Sequence, residues 1–287
     1  MQDCWTEWLL NRRFGSDDDA ERKAQALERL RALRDRVLDG ACLKAGDAVL
    51  DVGSGDGLIG FGALERQAGQ VIFSDISDDL LAECKRIASQ LKALDRCRFV
   101  RADATELAEI PSQSVNVVTT RSVLIYVGDK ASALREFYRV IRPGGRISLF
   151  EPICKLNRFL KAYDPGEVRD LDDRVKGVFE KRQPTDSDPM YNFDDRDLLE
   201  FTEAAGFQQV FITLEIETKP PEPISWDSYA SIAFNPKIPT INKAMKEVLA
   251  PDEQERYEAH MRPLVESGQG SRRMASVLLR ATKAVST

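Results

Sequence analysis

The stretch Val49-Leu50-Asp51-Val52-Gly53-Ser54-Gly55-Asp56-Gly57 decides the fold. An apolar strand carries a carboxylate, Asp51, near its end, and three glycines follow at every second position. An amphipathic run begins directly afterwards. Glycine has no Cβ, so it enters backbone regions closed to other residues and lets a ligand lie against the main chain. A strand, a glycine turn and a helix N-terminus together make a binding site at the carboxyl edge of a parallel sheet. About twenty residues on, Val71-Ile72-Phe73-Ser74-Asp75 repeats the arrangement. Its terminal carboxylate can accept hydrogen bonds from both hydroxyls of a ribose.

Read literally, the glycines are ambiguous. Gly55-x-Gly57-x-x-Gly60 also satisfies the dinucleotide fingerprint, and Asp75 stands where a nicotinamide enzyme needs an acid. Three further features bear on the choice. Asp51 precedes the glycines. Arg101-Ala102-Asp103-Ala104 follows a third strand and offers a carboxylate to an adenine amino group. Arg142-Pro143-Gly144-Gly145-Arg146 leads into a fifth apolar strand, Ile147 to Phe150. This ordered set resembles the class I S-adenosylmethionine (SAM) dependent methyltransferases, closely from Val49 to Glu151 and more loosely in a C-terminal hairpin. The resemblance implies a seven-stranded, mostly parallel, doubly wound α/β sheet with an antiparallel C-terminal hairpin. It implies SAM as cofactor, held by Asp51, Gly53, Gly55, Gly57, Asp75, Ile76, Asp103 and Ala104. Asp75 would take the ribose, Ile76 the adenine face and Asp103 the adenine amino group, with Ala104 supplying backbone. Asp51 would hold the loop or reach the methionine ammonium.

Composition bounds the rest. The chain has 287 residues, 43% hydrophobic and 31% charged, enough for one large domain or a domain with a cap. The formal net charge of −6 argues against a nucleic-acid substrate. No apolar run approaches the roughly 20 residues of a membrane span, and Met1-Gln2-Asp3-Cys4 does not open a signal peptide. The 5 cysteines are scattered, with no C-x-x-C pair. That fits reduced thiols in a cytoplasmic protein better than disulfides or a metal site.

Along the chain, Trp5, Trp8, Leu9 and Leu10 form an apolar cluster, and Phe14-Gly15 breaks it. Ser16 to Asp19 cap a helix whose face is Leu27, Leu30, Leu33, Val37 and Leu38, ending near Gly40. Residues 1–45 read as an N-terminal helical lid, with Trp5, Trp8 and Phe14 toward a substrate. Residues 46–151 read as the cofactor-binding core. Its strands alternate with helices, so they run parallel. The helix after strand one is expected to reach Ala68, and strand five to span Arg146 to Phe150. Residues 152–196 form a proline-rich insert with a helix near Val168 to Lys181. Phe193 to Asp197 cap a further helix. Residues 197–218 and 272–283 complete the sheet. Between them lies an insert, 219–271, with helices near Thr240–Leu249 and Asp252–Leu264. So long an insert inside a hairpin reads as a cap.

The acceptor side is thinner. Arg121 ends strand four beside the expected methionine site and can meet an acidic substrate or the SAM carboxylate itself. Tyr126 follows it. Glu151 ends strand five and is the first candidate for a general base. His260 is the only histidine, and Tyr191 and Trp226 are candidate pocket aromatics. The expected activity is methyl transfer to a small molecule enclosed by the cap, without metal. Cyclisation or transfer of the aminocarboxypropyl arm of SAM, a nicotinamide oxidoreductase and a non-catalytic SAM-binding module stay open. Oligomeric state is not legible.

Overall fold

The computed structural model describes Asp3, Trp5, Thr6, Leu9, residues 20–157 and residues 162–285. Helix α1 spans Ala20–Gly40, and its capping stretch, Ser16 to Asp19, lies outside the described residues. The core then alternates: β1 (Ala48–Val52), α2 (Leu58–Glu65), β2 (Gln70–Asp75), α3 (Asp78–Gln90), β3 (Cys97–Arg101), β4 (Val115–Arg121), α4 (Lys130–Val140) and β5 (Ile141–Pro152). The C-terminal part adds α5 (Arg169–Arg182), α6 (Asp195–Ala204), β6 (Gln208–Lys219), α7 (Trp226–Ala230), α8 (Ile241–Val248), α9 (Pro251–Ser267) and β7 (Arg272–Thr282). The strands form one 7-stranded sheet in the order β3-β2-β1-β4-β5-β7-β6. β1 to β5 pair in parallel, whereas β7 runs antiparallel to both β5 and β6. The expected sheet and hairpin are therefore present.

Side chains of a strand alternate between the two sheet faces, and here they feed two cores. Val49, Val71, Phe73 and Val117 pack under Val37 and Leu38 of α1, Ile59 and Ala63 of α2, and Leu81 of α3. Leu50, Val52, Ile72 and Val118 pack under Leu134 and Phe137 of α4 and Leu198 of α6. A third core belongs to the two inserts jointly. Leu171, Val175 and Phe179 of α5 meet Trp226 of α7, Met245 of α8, and Tyr257 and Met261 of α9. Two stretches far apart in sequence thus share one apolar interior.

Two boundaries differ from the reading of the sequence, each for a local reason. α2 stops at Glu65 rather than Ala68, because Gln67 adopts a left-handed backbone (φ 66°) that a helix cannot contain. β5 begins at Ile141, not Arg146. Its register against β4 jumps from Val115↔Ile141 to Val117↔Arg146, so residues 142–145 bulge out of the ladder. Pro143 has no N–H to give a ladder, which suits it to a bulge. Helix α6 is capped as its sequence indicates: the Asp194 carboxylate accepts the Arg196 N–H at 3.0 Å, and Asp197 accepts the Asp194 N–H at 2.8 Å. Among the described residues no helix is long and apolar enough to cross a membrane.

Candidate active site

Asp51 is buried at the end of β1 and ties three elements together. Its Oδ2 accepts the Gly60 N–H of α2 at 2.9 Å, and its Oδ1 accepts the Thr119 hydroxyl of β4 at 3.1 Å. Burial pushes its pKa up to about 7, against the pull of those two donors and of the Arg121 charge. In the loop that follows, Gly53 and Gly57 have no room for a side chain. Gly53 has φ 62°, and a Cβ there would stand 2.3 Å from Val123 Cγ2. Gly57, at the N-terminus of α2, has φ 82°, and a Cβ would stand 2.4 Å from the Phe61 ring. Gly60 serves a different purpose: a Cβ there would strike the Phe73 ring at 2.3 Å. Close helix–strand packing thus accounts for the glycine that completes the dinucleotide pattern.

Asp75 ends β2 facing this loop. Its Oδ2 accepts the Gly55 N–H at 2.8 Å and its Oδ1 the Ser77 N–H at 3.0 Å. Burial raises its pKa, and the backbone donors oppose that rise. Ser77 in turn caps α3, its hydroxyl accepting the Leu80 N–H at 3.1 Å. Next to Asp75, Ile76 leaves 45% of its surface exposed. Asp103 follows β3; its Oδ1 accepts both the N–H and the hydroxyl of Thr105, at 2.8 and 2.6 Å, while Ala104 is buried. Asp51, Gly53, Gly55, Asp75, Ile76, Asp103 and Ala104 all line one cavity of about 2450 Å³.

The same cavity is lined by Arg121, Tyr126, Trp5 and Tyr191. Arg121 closes β4, half-buried. Burial pulls its pKa down, and Asp51, Glu151 and Tyr126 pull the other way. The chain turns sharply after it: Ser122 adopts φ 57°, and its N–H donates to the Phe150 carbonyl at 2.8 Å. Left-handed backbone at a residue other than glycine is costly and concentrates at functional sites. Tyr126 meets Trp5 edge-on, with ring centroids 4.8 Å apart and planes at 81°. Trp8 and Phe14 lie outside the described residues.

Four expected residues are placed elsewhere. Gly57 is buried at the start of α2 and does not line the cavity, so its part is to shape the turn. Glu151 is buried and does not line the cavity. Its Oε1 accepts the N–H groups of Val123 and Leu124, each at 3.0 Å, and its Oε2 that of Ile125 at 3.2 Å. With its oxygens spent on three backbone donors, it holds the loop after β4 and is badly set to take a proton from a substrate. Trp226 is buried in the insert core, 5.6 Å from the Tyr229 ring and 6.4 Å from the Tyr257 ring. It lines no part of the cavity, because the inserts need an interior of their own. His260 lines a separate cavity of about 450 Å³ with Glu167 and Arg256, its Nε2 3.4 Å from the Asp164 carbonyl.

Lys130 was not legible as a site residue. It is buried, and its Nζ donates to the carbonyls of Val127 and Pro189, each at 2.9 Å, and to Asn192 Oδ1 at 2.8 Å. Burial drops its pKa to about 8. It fastens the far end of the loop that Glu151 holds at the near end. Nothing in its local sequence, a helix N-terminus, marks it as buried.

The donor set fits SAM. A carboxylate faces the glycine loop from the end of β2, an exposed apolar side chain stands beside it, and a second carboxylate follows β3. The comparisons agree. A family model described as a methyltransferase domain matches residues 43–204, more than half of the chain. The ubiquinone/menaquinone biosynthesis C-methyltransferase UbiE of Marinomonas sp. is 35% identical over 111 residues, which cover 38% of this chain and 44% of that protein. The chain spans about half the length of the curated relatives it matches. Among solved structures, the YcgJ protein from Bacillus subtilis is similar with a TM-score of 0.55 at 18% identity, covering 90% of this chain and all of that one. Phosphoethanolamine N-methyltransferase 2 of Haemonchus contortus, in complex with SAM, is similar with a TM-score of 0.54 at 15% identity, covering 98% of this chain and 56% of that one. Fold, donor set and family model together make the chain a member of the methyltransferase-domain family, of the class I type whose cofactor is SAM.

Proposed function

We propose that the protein transfers the methyl group of SAM to a small organic acceptor, held between the carboxyl edge of the sheet and the helices of the two inserts. The observation that supports this reading most directly is the extent of the cavity. It runs from Asp75 and Asp103 on the sheet to Phe179, Phe234 and Ile238 on the inserts. Its volume of about 2450 Å³ exceeds the roughly 300–1,000 Å³ usual for one small ligand, so cofactor and acceptor fit side by side. Helices over the edge suit an enclosed small molecule and serve as a cap.

SAM supplies a methyl group already activated on a sulfonium. The work left to the chain is to bind, orient and exclude water. Asp75 receives the ribose hydroxyls with the acceptor capacity its two amide bonds leave. Ile76 lies against the adenine and Asp103 meets its amino group. The glycine loop and Asp51 take the methionine portion. Apolar side chains of α1 and the inserts keep water from the acceptor. The UbiE relatives are named C-methyltransferases, which makes carbon the first acceptor atom to test.

The test is incubation with methyl-labelled SAM, alone and with a metabolite extract, followed by mass spectrometry of the nucleoside product. S-adenosylhomocysteine formed only with extract supports methyl transfer, and the labelled partner names the acceptor. Methylthioadenosine formed without extract overturns it in favour of chemistry on the aminocarboxypropyl arm. Asp75→Ala should abolish either product.

A further inference from the structure

The cofactor reading does not absorb the chemistry of Arg121. Its side chain lines the cavity, half-buried, and makes no hydrogen bond or ion pair with any described residue. Both carboxylates that bear on it electrostatically, Asp51 and Glu151, are engaged elsewhere. Asp51 is held by Gly60 and Thr119. Glu151 is held by three backbone amides. A guanidinium taken partly out of water without a partner is costly, and the cost is recovered when a bound anion supplies the acceptors. Its planar fork matches a planar oxyanion with two parallel hydrogen bonds.

The surroundings define the rest of such a ligand. Phe150 is the cross-strand neighbour of Arg121 in the β4–β5 register and lines the cavity. α1 presents Leu27, Leu30 and Leu33 to the same space, Leu27 with 46% of its surface exposed. Trp5 and Tyr126 add an aromatic wall. Other cations line the cavity too, Arg272 and Lys243 among them, but Arg121 is the one with Phe150 as its cross-strand neighbour, and an unpaired cation beside apolar side chains suits a molecule with an apolar body and an acidic group.

We propose that the acceptor is an apolar organic oxyanion, a carboxylate or an ionised phenol or enol, whose acidic group pairs with Arg121 while its body lies against Phe150, Leu27 and Leu30. This rests on the methyl-transfer reading, because it places the acceptor beside the cofactor. Arg121 is then a specificity-determining residue. The competing assignment is that Arg121 pairs with the carboxylate of the cofactor.

The experiment separates these outcomes by calorimetric titration of the full chain. S-adenosylhomocysteine is titrated first. Probes are then titrated into the loaded protein: 2-naphthoate against neutral 2-naphthamide, and ionised 4-nitrophenol against neutral 4-nitroanisole. The expected result is tight S-adenosylhomocysteine binding and a preference for one anion over its neutral partner. Arg121→Gln should erase that preference, about a 10- to 100-fold loss, with S-adenosylhomocysteine affinity unchanged. Arg121→Lys, which keeps charge but not the fork, should retain an intermediate preference. The anion that wins says which oxyanion the site takes. No preference for either anion overturns the inference while leaving methyl transfer standing, as does an Arg121→Gln effect confined to S-adenosylhomocysteine. Failure of the wild-type chain to bind S-adenosylhomocysteine overturns the reading beneath it.

Discussion

Glu151 at the end of β5 accepts the backbone N–H of Leu124 at 3.0 Å, and through it the loop after β4 hangs from the neighbouring strand. Val123 and Ile125 donate to the same carboxylate. Glu151→Ala would leave three amides without acceptors. At about 1–3 kcal/mol for each buried orphan group, a loss of several kcal/mol of stability is expected, read as a lower midpoint in urea. Glu151→Gln keeps one acceptor oxygen and should lose less. A general base would show the opposite ordering of effects: Gln and Ala equally inactive, with stability nearly intact.

Gly53→Ala tests the loop. The new Cβ meets Val123 Cγ2 at 2.3 Å in a left-handed backbone. The conformation alone costs about 1–2 kcal/mol, and the clash displaces Val123, which sits on the Glu151-held turn. S-adenosylhomocysteine binding should fall at least tenfold by calorimetry, with a drop in melting temperature. An unchanged affinity would mean that the loop does not touch the cofactor.

Asp51 gives a pH dependence with a definite sign. Its carboxyl, ordinarily near 3.8, rises to about 7 in the folded chain, because burial disfavours the charge. The folded state therefore binds the proton more tightly than the unfolded state. Stability from this group is greatest at low pH and declines as the pH climbs from about 4 to about 7. Glu151, raised from 4.5 to about 7, adds to the same slope. Melting temperatures of the ligand-free protein should decline across that window, and Asp51→Asn should flatten the decline. A slope that Asp51→Asn leaves untouched would place the titration elsewhere.

Trp226→Ala probes the insert core. Replacing a buried Trp costs about 3–5 kcal/mol, and the loss falls on the core shared by α5, α7, α8 and α9. S-adenosylhomocysteine affinity should hold within about threefold, because the groups assigned to the cofactor come from the sheet edge, while turnover of acceptor declines. Equal losses in both would tie the inserts to cofactor binding.

What could be read from the sequence follows from the range of the interactions. Asp51, the glycines and Asp75 are set by strand, turn and helix within a few dozen residues, and local chemistry marks them. The capping box at Asp194 is more local still. Glu151 and Lys130 are different. Each is defined by partners the chain brings from 26 to 28 and up to 62 residues away, so a strand-end glutamate reads as a base and a helix-start lysine as surface. Trp226 shows the same limit. An aromatic in an insert faces either a ligand or its own core, and only the packing of α7 against α9 decides.

The excursion between β6 and β7 leaves the sheet at Lys219 and re-enters at Arg272, and those two residues are ladder partners. In polymer terms the insert is a loop already closed by the hairpin beneath it, so its own core does not have to bring its ends together. The entropy of closing such a loop grows only by about 0.6 kcal/mol for each doubling of its length. The helices above the sheet can therefore be lengthened, trimmed or exchanged at nearly constant cost to the strands. If the acceptor lies beneath these helices, as proposed, its identity can drift from one descendant of this chain to the next while the cofactor edge of the sheet stays as it is.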